Sequence, residues 1–194
     1  MIMERSERNI AVLFPGIGYT CDKPLLYYTG KLLQGLGYEV IRLSYSGFPA
    51  NVKGDEAKMR QCFAIQQEQT EEQLKDIDFS VYDDVLFVGK SLGTVAALQY
   101  AREFAVSARF VLLTPIEQTF CVAFSSDAIV FHGTADPWER TERITSACTD
   151  RKIPLYVVAD ANHSLETGDV QKDIDNLQQV IAQIREFAGE AFTD

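Results

Sequence analysis

The chain has 194 residues, 46% of them hydrophobic and 24% charged, the balance of an ordinary globular protein with material for one domain, 1–194, and one sizeable core. A formal net charge of -10 with no basic stripe argues against DNA or RNA as a partner. No apolar run approaches the roughly 20 residues of a membrane helix. The charged start leads into an apolar run too short for a signal peptide, so no membrane partner and a cytoplasmic location are expected. The four cysteines, Cys21, Cys62, Cys121 and Cys148, form no C-x-x-C pair, which excludes a zinc site or redox dithiol built on that motif and leaves free thiols.

In chain order, Ile10-Phe14 is a first apolar run, followed by the glycine-bearing loop Pro15-Gly16-Ile17-Gly18-Tyr19. A helix follows, with Asp22 as its cap, Pro24 in its first turn and Leu25, Tyr28, Leu32 and Leu36 on one face. Tyr38-Leu43 alternates and carries charges, as an edge strand should. Glu56 to Ile77 forms a second helix with Met59, Phe63, Leu74 and Ile77 inward. Val85-Val88 is the next strand, and Leu92 to Phe104 a deeply packed helix. Phe110-Leu113 and Ala128-Phe131 are strands joined by Thr114 to Asp127, read as a loop packed on the core rather than a flap. Glu139 to Cys148 is a fourth helix and Leu155-Val158 a sixth strand. Val170, Ile174, Leu177, Ile181, Ile184 and Ala188 step by four and three along a last amphipathic helix. Continuous apolar strands alternating with helices predict a three-layer α/β/α sandwich around a six-stranded, mostly parallel sheet.

Phe87 to Thr94, FVGKSLGT, contains both the Gly-Lys-Ser tail of a phosphate-binding loop and a Gly-x-Ser-x-Gly frame. The phosphate loop needs a glycine five residues before Gly89, where Asp84 stands. The residues between are a strand, which cannot wrap its amides around a phosphate and stay in the sheet. Gly89-Lys90-Ser91-Leu92-Gly93 instead joins a buried strand to a buried helix, the setting in which a tight turn presents a serine hydroxyl. The positive end of the helix favours negative charge developing there.

A serine nucleophile needs a base. Of the two histidines, His132 ends a strand and is read as a packed residue supporting the neighbouring turn. His163 follows the last strand and is placed to reach the serine from a loop. Asp136, after the fifth strand, is the candidate to orient His163, with Asp160 and Glu117 as alternatives. The Leu92 N–H is one candidate oxyanion donor; the second comes from the first loop, Ile17 ahead of Gly18.

LFPGIGYT, VGKSLGT, FHGTADPW and ANHSLE together resemble the α/β-hydrolase superfamily. The resemblance implies loops gathered at the carboxyl ends of the strands and the strand order 2-1-3-4-5-6. The absence of two further leading strands and of a long insertion after the fourth strand implies a minimal, lidless member. The implied reaction is cleavage of a small ester, thioester or related acyl compound through an acyl-enzyme at Ser91, without metal or organic cofactor. Acyl transfer at the same site and a catalytically idle binding protein are the alternatives. Gly16, Gly18, Tyr19, Lys90 and Trp138 are candidate substrate-binding residues. Lys90 is either a solvated or salt-bridged neighbour or a positive charge near an anionic substrate. Trp138 either lines the pocket or covers the sheet edge.

Overall fold

The computed structural model describes residues 8–189; the charged start of the chain, 1–7, lies outside them, as do residues 190–194. Six strands form one sheet in the order β2-β1-β3-β4-β5-β6. They are β1 (Asn9–Phe14), β2 (Tyr38–Arg42), β3 (Asp84–Lys90), β4 (Arg109–Leu113), β5 (Ala128–Gly133) and β6 (Leu155–Val158). Every pairing is parallel. Helices α1 (Pro24–Gly35) and α5 (Val170–Gly189) pack on one face; α2 (Glu56–Leu74), α3 (Leu92–Glu103) and α4 (Thr141–Arg151) pack on the other.

The strand pattern follows from this layering. Ile10, Val12 and Phe14 of β1 enter the core shared with α2, α3 and α4, while Ala11 and Leu13 enter the core shared with α1 and α5. Val85 and Phe87 alternate in the same way with Leu86 and Val88. Both faces are buried, so the central strands read as unbroken apolar runs. Phe87 anchors the first core against Phe14, Phe79, Tyr100 and Phe110, with ring centroids 5.0 to 6.3 Å away. β2 and β6 are the edges, and Val157 of β6 is 47% exposed.

The helices differ from expectation in detail. Lys23, not Asp22, is the N-cap of α1 and makes no side-chain cap bond; Pro24 marks the start. Leu26, Thr29 and Leu33 centre the inner face with Leu25 and Leu32, which leaves Tyr28 exposed. The doubled leucines, 25–26 and 32–33, rotate that face away from Tyr28. In α2 the buried stripe is Cys62, Gln66, Thr70 and Leu74, half of it polar; Met59 and Phe63 are partly buried, and Ile77 lies beyond the helix end. α4 starts at Thr141 rather than Glu139, with Arg140 in an extended N-cap conformation whose N–H donates to the buried Glu139 side chain. Only Val180, Ile184 and Ala188 of α5 are buried, whereas Val170 and Ile174 face solvent. The 114–127 connection holds a short 3-10 helix, Glu117–Cys121, with Ile116, Thr119 and Val122 buried and Phe124 edge-on to Phe110 at 6.0 Å. It packs on the core. No helix among the described residues is long and apolar enough to cross a membrane.

Candidate active site

β3 runs two residues beyond its apolar run, so Ser91 is the single residue between strand and α3. Its backbone has φ 56° and ψ -120°, a strained conformation for a residue with a side chain. Neighbours hold it there. The Ser91 N–H donates to the Leu113 carbonyl at 2.9 Å, and the Ser91 carbonyl accepts from the Thr94 N–H at 3.0 Å and hydroxyl at 2.6 Å. With its proton so used, Thr94 accepts from the Thr119 hydroxyl at 2.6 Å, which in turn accepts from the Ile116 N–H.

The two flanking glycines do different work. A Cβ on Gly89 would lie 2.5 Å from the Thr94 Cα, a clash across the turn as expected. On Gly93 it would lie 1.9 Å from the carbonyl oxygen of Phe14, so this glycine lets α3 approach the end of β1 rather than relieving the turn itself.

The loop after β6 brings His163 to Ser91, its Nε2 2.7 Å from Oγ. Its Nδ1 lies 2.7 Å from Oδ2 of Asp136, on the loop after β5. The Ala135 N–H donates to the Ala161 carbonyl at 2.9 Å and so ties these two loops together, and the Thr114 hydroxyl, just after β4, donates to the His163 carbonyl at 3.0 Å. Asp136 is fixed from its other oxygen by the Trp138 N–H at 2.8 Å. Asp160 and Glu117 stand elsewhere: Asp160 is exposed, and Glu117 pairs with Arg143 at 3.1 Å.

Burial disfavours the charged form of each group in the relay. For His163 it dominates, with the nearby Lys90 charge in the same direction, and holds the imidazole below its usual range despite the Asp136 bond. For Asp136 the burial effect is outweighed by the His163 bond and charge and the Trp138 amide, so the carboxyl sits below its usual range. The arrangement therefore favours a neutral imidazole beside a carboxylate. His132 is fully buried behind Asp136, its Nδ1 4.0 Å from Oδ2 and its Nε2 3.1 Å from the Thr141 hydroxyl, a packed position as its sequence context predicts.

A cavity of about 180 Å³ opens over Ser91. Ile17, Gly18 and Tyr19 form one wall; Leu92, Trp138 and His163 contribute to the rest. The Leu92 N–H, in the first turn of α3, lacks an intrahelical acceptor by helix geometry. Among the described residues neither it nor the Ile17 N–H has a backbone acceptor. Gly16 lies under the serine, its added Cβ only 3.0 Å from Ser91 Cβ, so it packs against the turn rather than lining the cavity. Trp138 lines the cavity, its ring 5.6 Å from that of His163.

Lys90 departs from the expected surface role. It is only 1% exposed, has no ion pair among the described residues, and places its ammonium 4.8 Å from the centre of the Tyr19 ring. The register explains this: Lys90 is still in β3, opposite Leu113, with the parity of Leu86 and Val88. Counting it as strand rather than turn would have revealed the burial. Sequence reasoning also missed Gln66, whose Nε2 donates to the Pro15 carbonyl at 3.0 Å and holds the glycine-bearing loop from α2. The hydroxyls of Thr94, Thr114 and Thr119 and the cavity wall Ile116 went unnoticed too, and Met59, read only as an inward residue of the second helix, lines the cavity. A polar stripe at a four-residue period on an inward face was the one available hint of Gln66. Among the described residues no group of three or more His, Cys, Asp or Glu could hold a metal ion.

No protein-family model matches the chain, and no curated protein matches it. Solved structures do. An α/β serine hydrolase homologue from Coxiella burnetii aligns with a TM-score of 0.64 at 16% identity over 93% of this chain and 87% of its own. A lidless α/β serine hydrolase from Xanthomonas campestris aligns at 0.61 and 15% over 95% and 85%. Est1E from Butyrivibrio proteoclasticus aligns at 0.68 and 12% over 98% and 91%. With the parallel order 2-1-3-4-5-6 and a serine turn after β3, the chain has the α/β-hydrolase fold.

Proposed function

We propose that the protein is a serine hydrolase that cleaves a small carboxylic ester, thioester or related acyl compound through an acyl-enzyme at Ser91. The observation that carries this reading is the relay itself: three loops bring hydroxyl, imidazole and carboxylate into successive contacts of 2.7 and 2.7 Å. Ser91 Oγ attacks the acyl carbon while its proton passes to Nε2 of His163. Asp136 accepts from Nδ1–H and stabilises the imidazolium. The Leu92 and Ile17 N–H groups receive the oxyanion. Nε2 then protonates the leaving oxygen or sulfur as that bond breaks. Water, deprotonated by the same nitrogen, attacks the acyl carbon, releases the acid and restores Ser91.

The volume above Ser91, about 180 Å³, equals roughly six water molecules and suits a short acyl group. Fluorophosphonate labelling tests the reading together with initial rates on 4-nitrophenyl acetate and butyrate. Labelling should map to Ser91 and vanish with Ser91→Ala, along with ester cleavage. Ester cleavage that survives Ser91→Ala would refute the mechanism.

A further inference from the structure

Lys90 is a buried amine that nothing in the relay requires. Lys90 borders the cavity over Ser91 yet is only 1% exposed. Among the described residues its ammonium has no hydrogen bond and no carboxylate within ion-pair distance; its one close polar-face neighbour is the Tyr19 ring at 4.8 Å. That ring is itself held, because the Tyr19 hydroxyl accepts from the Leu25 N–H at 3.1 Å at the start of α1. A lysine at the end of a buried strand would normally be matched by a carboxylate or replaced by an apolar residue. Here, among the described residues, no protein group accepts from the three donors of the ammonium, on a residue that borders the cavity over Ser91.

The surrounding charge points the same way. The chain has 28 acidic and 18 basic residues, yet no Asp or Glu lines this cavity. A second cation, Lys53, lies 5.6 Å from the ring of Trp138, another cavity wall. The negative charges near Lys90 are Asp136, already engaged by His163 and Trp138, and Glu166; His163 and Tyr19 are the other titratable groups nearby. Burial is the main influence on the amine and lowers its pKa to about 7, against the pull of those two carboxylates, so a bound anion would favour the charged form.

We propose that Lys90 is a specificity residue that receives a carboxylate on the substrate's acyl group, so that the preferred substrates are esters or thioesters of short dicarboxylic acids. The identity of that acid as an acyl product rests on the hydrolase reading; its binding does not. The carboxylate would accept hydrogen bonds from the Lys90 ammonium within the cavity, with the acyl carbon at Ser91 Oγ. Tyr19 would keep the ammonium from folding away.

Equilibrium binding separates the two readings, since it needs no turnover. Succinate and butyrate are alike in length and differ in the far carboxylate. Calorimetric titration of the wild-type protein at pH 6.5 should give succinate at least tenfold tighter binding than butyrate. In Lys90→Met, which keeps the stem volume and removes the charge, the ratio should fall to about one while thermal melting stays cooperative. Equal affinities in the wild type, failure of succinate to bind, or a preference that survives in Lys90→Met would each overturn the proposal. If Lys90→Met does not fold, the wild-type ratio alone decides. Ser91→Ala should keep the succinate preference, so loss of hydrolase chemistry and loss of carboxylate recognition give different results.

Discussion

At the amino edge of the sheet, Arg109 donates to both carboxylate oxygens of Asp84, at 3.0 and 2.7 Å. Its remaining donors reach the Phe187 and Ala188 carbonyls and the Tyr38 hydroxyl, and that hydroxyl also bonds Asp84. At the carboxyl edge, Lys90 is more deeply buried and, among the described residues, has the Tyr19 ring in place of such a set; Nδ1 of His132, behind Asp136, has no hydrogen-bond partner among them. Burying a charge is costly unless it is paired, so the first arrangement ties β3 and β4 to the end of α5 and has no evident need of a ligand. The second has only the face of the Tyr19 ring and the more distant Asp136 and Glu166 charges to offset its cost. Under the proposal above, a substrate carboxylate would supply the partner that Lys90 lacks, whereas His132 lies behind Asp136 and does not line the cavity.

The largest effect should fall on rate at the carboxyl edge. Asp136→Asn keeps the shape but cannot hold His163 in the same tautomer, and kcat for a short 4-nitrophenyl ester should drop about 10⁴-fold. A drop of tenfold or less would mean that the Asp136–His163 contact of 2.7 Å is structural packing. The amino edge should answer in stability instead. Arg109→Met strands the Asp84 carboxylate in a site where the two side chains are 12–13% exposed, and urea unfolding should show a loss of about 3–5 kcal/mol. Its kcat, measured well below the melting temperature, should be unchanged. A large fall in kcat would show that the two edges are coupled and weaken the contrast.

Much of this arrangement was legible in the sequence for physical reasons. A strand buried on both faces must be apolar throughout, so β1, β3, β4 and β5 announced themselves, and the polar Glu39 and Arg42 marked β2 as an edge. Two histidines made the search for a partner to Ser91 short. The elements that escaped depend on distance or parity. Gln66 acts on Pro15, 51 residues away, and its partner is a backbone carbonyl that no side-chain pattern encodes. The burial of Lys90 depends on whether the strand ends at Val88 or Lys90, a boundary set by pairing with β4. Tyr28 was misassigned because adjacent leucines at 25–26 and 32–33 permit two nearby helix faces, and contact with the sheet selects one.

Lys90→Met sharpens the contrast through pH. Below pH of about 7 the amine is protonated in folded and unfolded chains alike. Between about 7 and the ordinary value of 10.5 the unfolded chain keeps the proton and the folded one does not. The unfolded state then binds more protons, so the contribution of Lys90 to stability rises with pH through that window and is lost as pH falls. Replacing the lysine should therefore stabilise the ligand-free protein by about 1–4 kcal/mol at pH 6, with a smaller gain at pH 9. Urea midpoints of the two proteins at both pH values give the comparison. A destabilised variant, or a gain that grows with pH, would mean that the ammonium already has a partner.

Gln66→Leu should give the smallest effect and separates support of the site from support of the fold. The substitution removes the bond to the Pro15 carbonyl but also removes Oε1, a buried acceptor with no partner among the described residues. The two changes oppose each other, so the net change in stability should stay within about 1 kcal/mol. The loop carrying Ile17 would lose its tether to α2. Removing an oxyanion donor outright costs about 10²–10³ in kcat, and loosening one should cost less, about tenfold. Because Ser91 and His163 keep their contact, fluorophosphonate should still label the variant, only more slowly. An unchanged kcat would show that the Gly16–Tyr19 bridge and the packing of Phe14 against Gly93 hold the loop without Gln66. A stability loss well above 1 kcal/mol would place Gln66 with Arg109, among the residues that hold the sheet and its helices together.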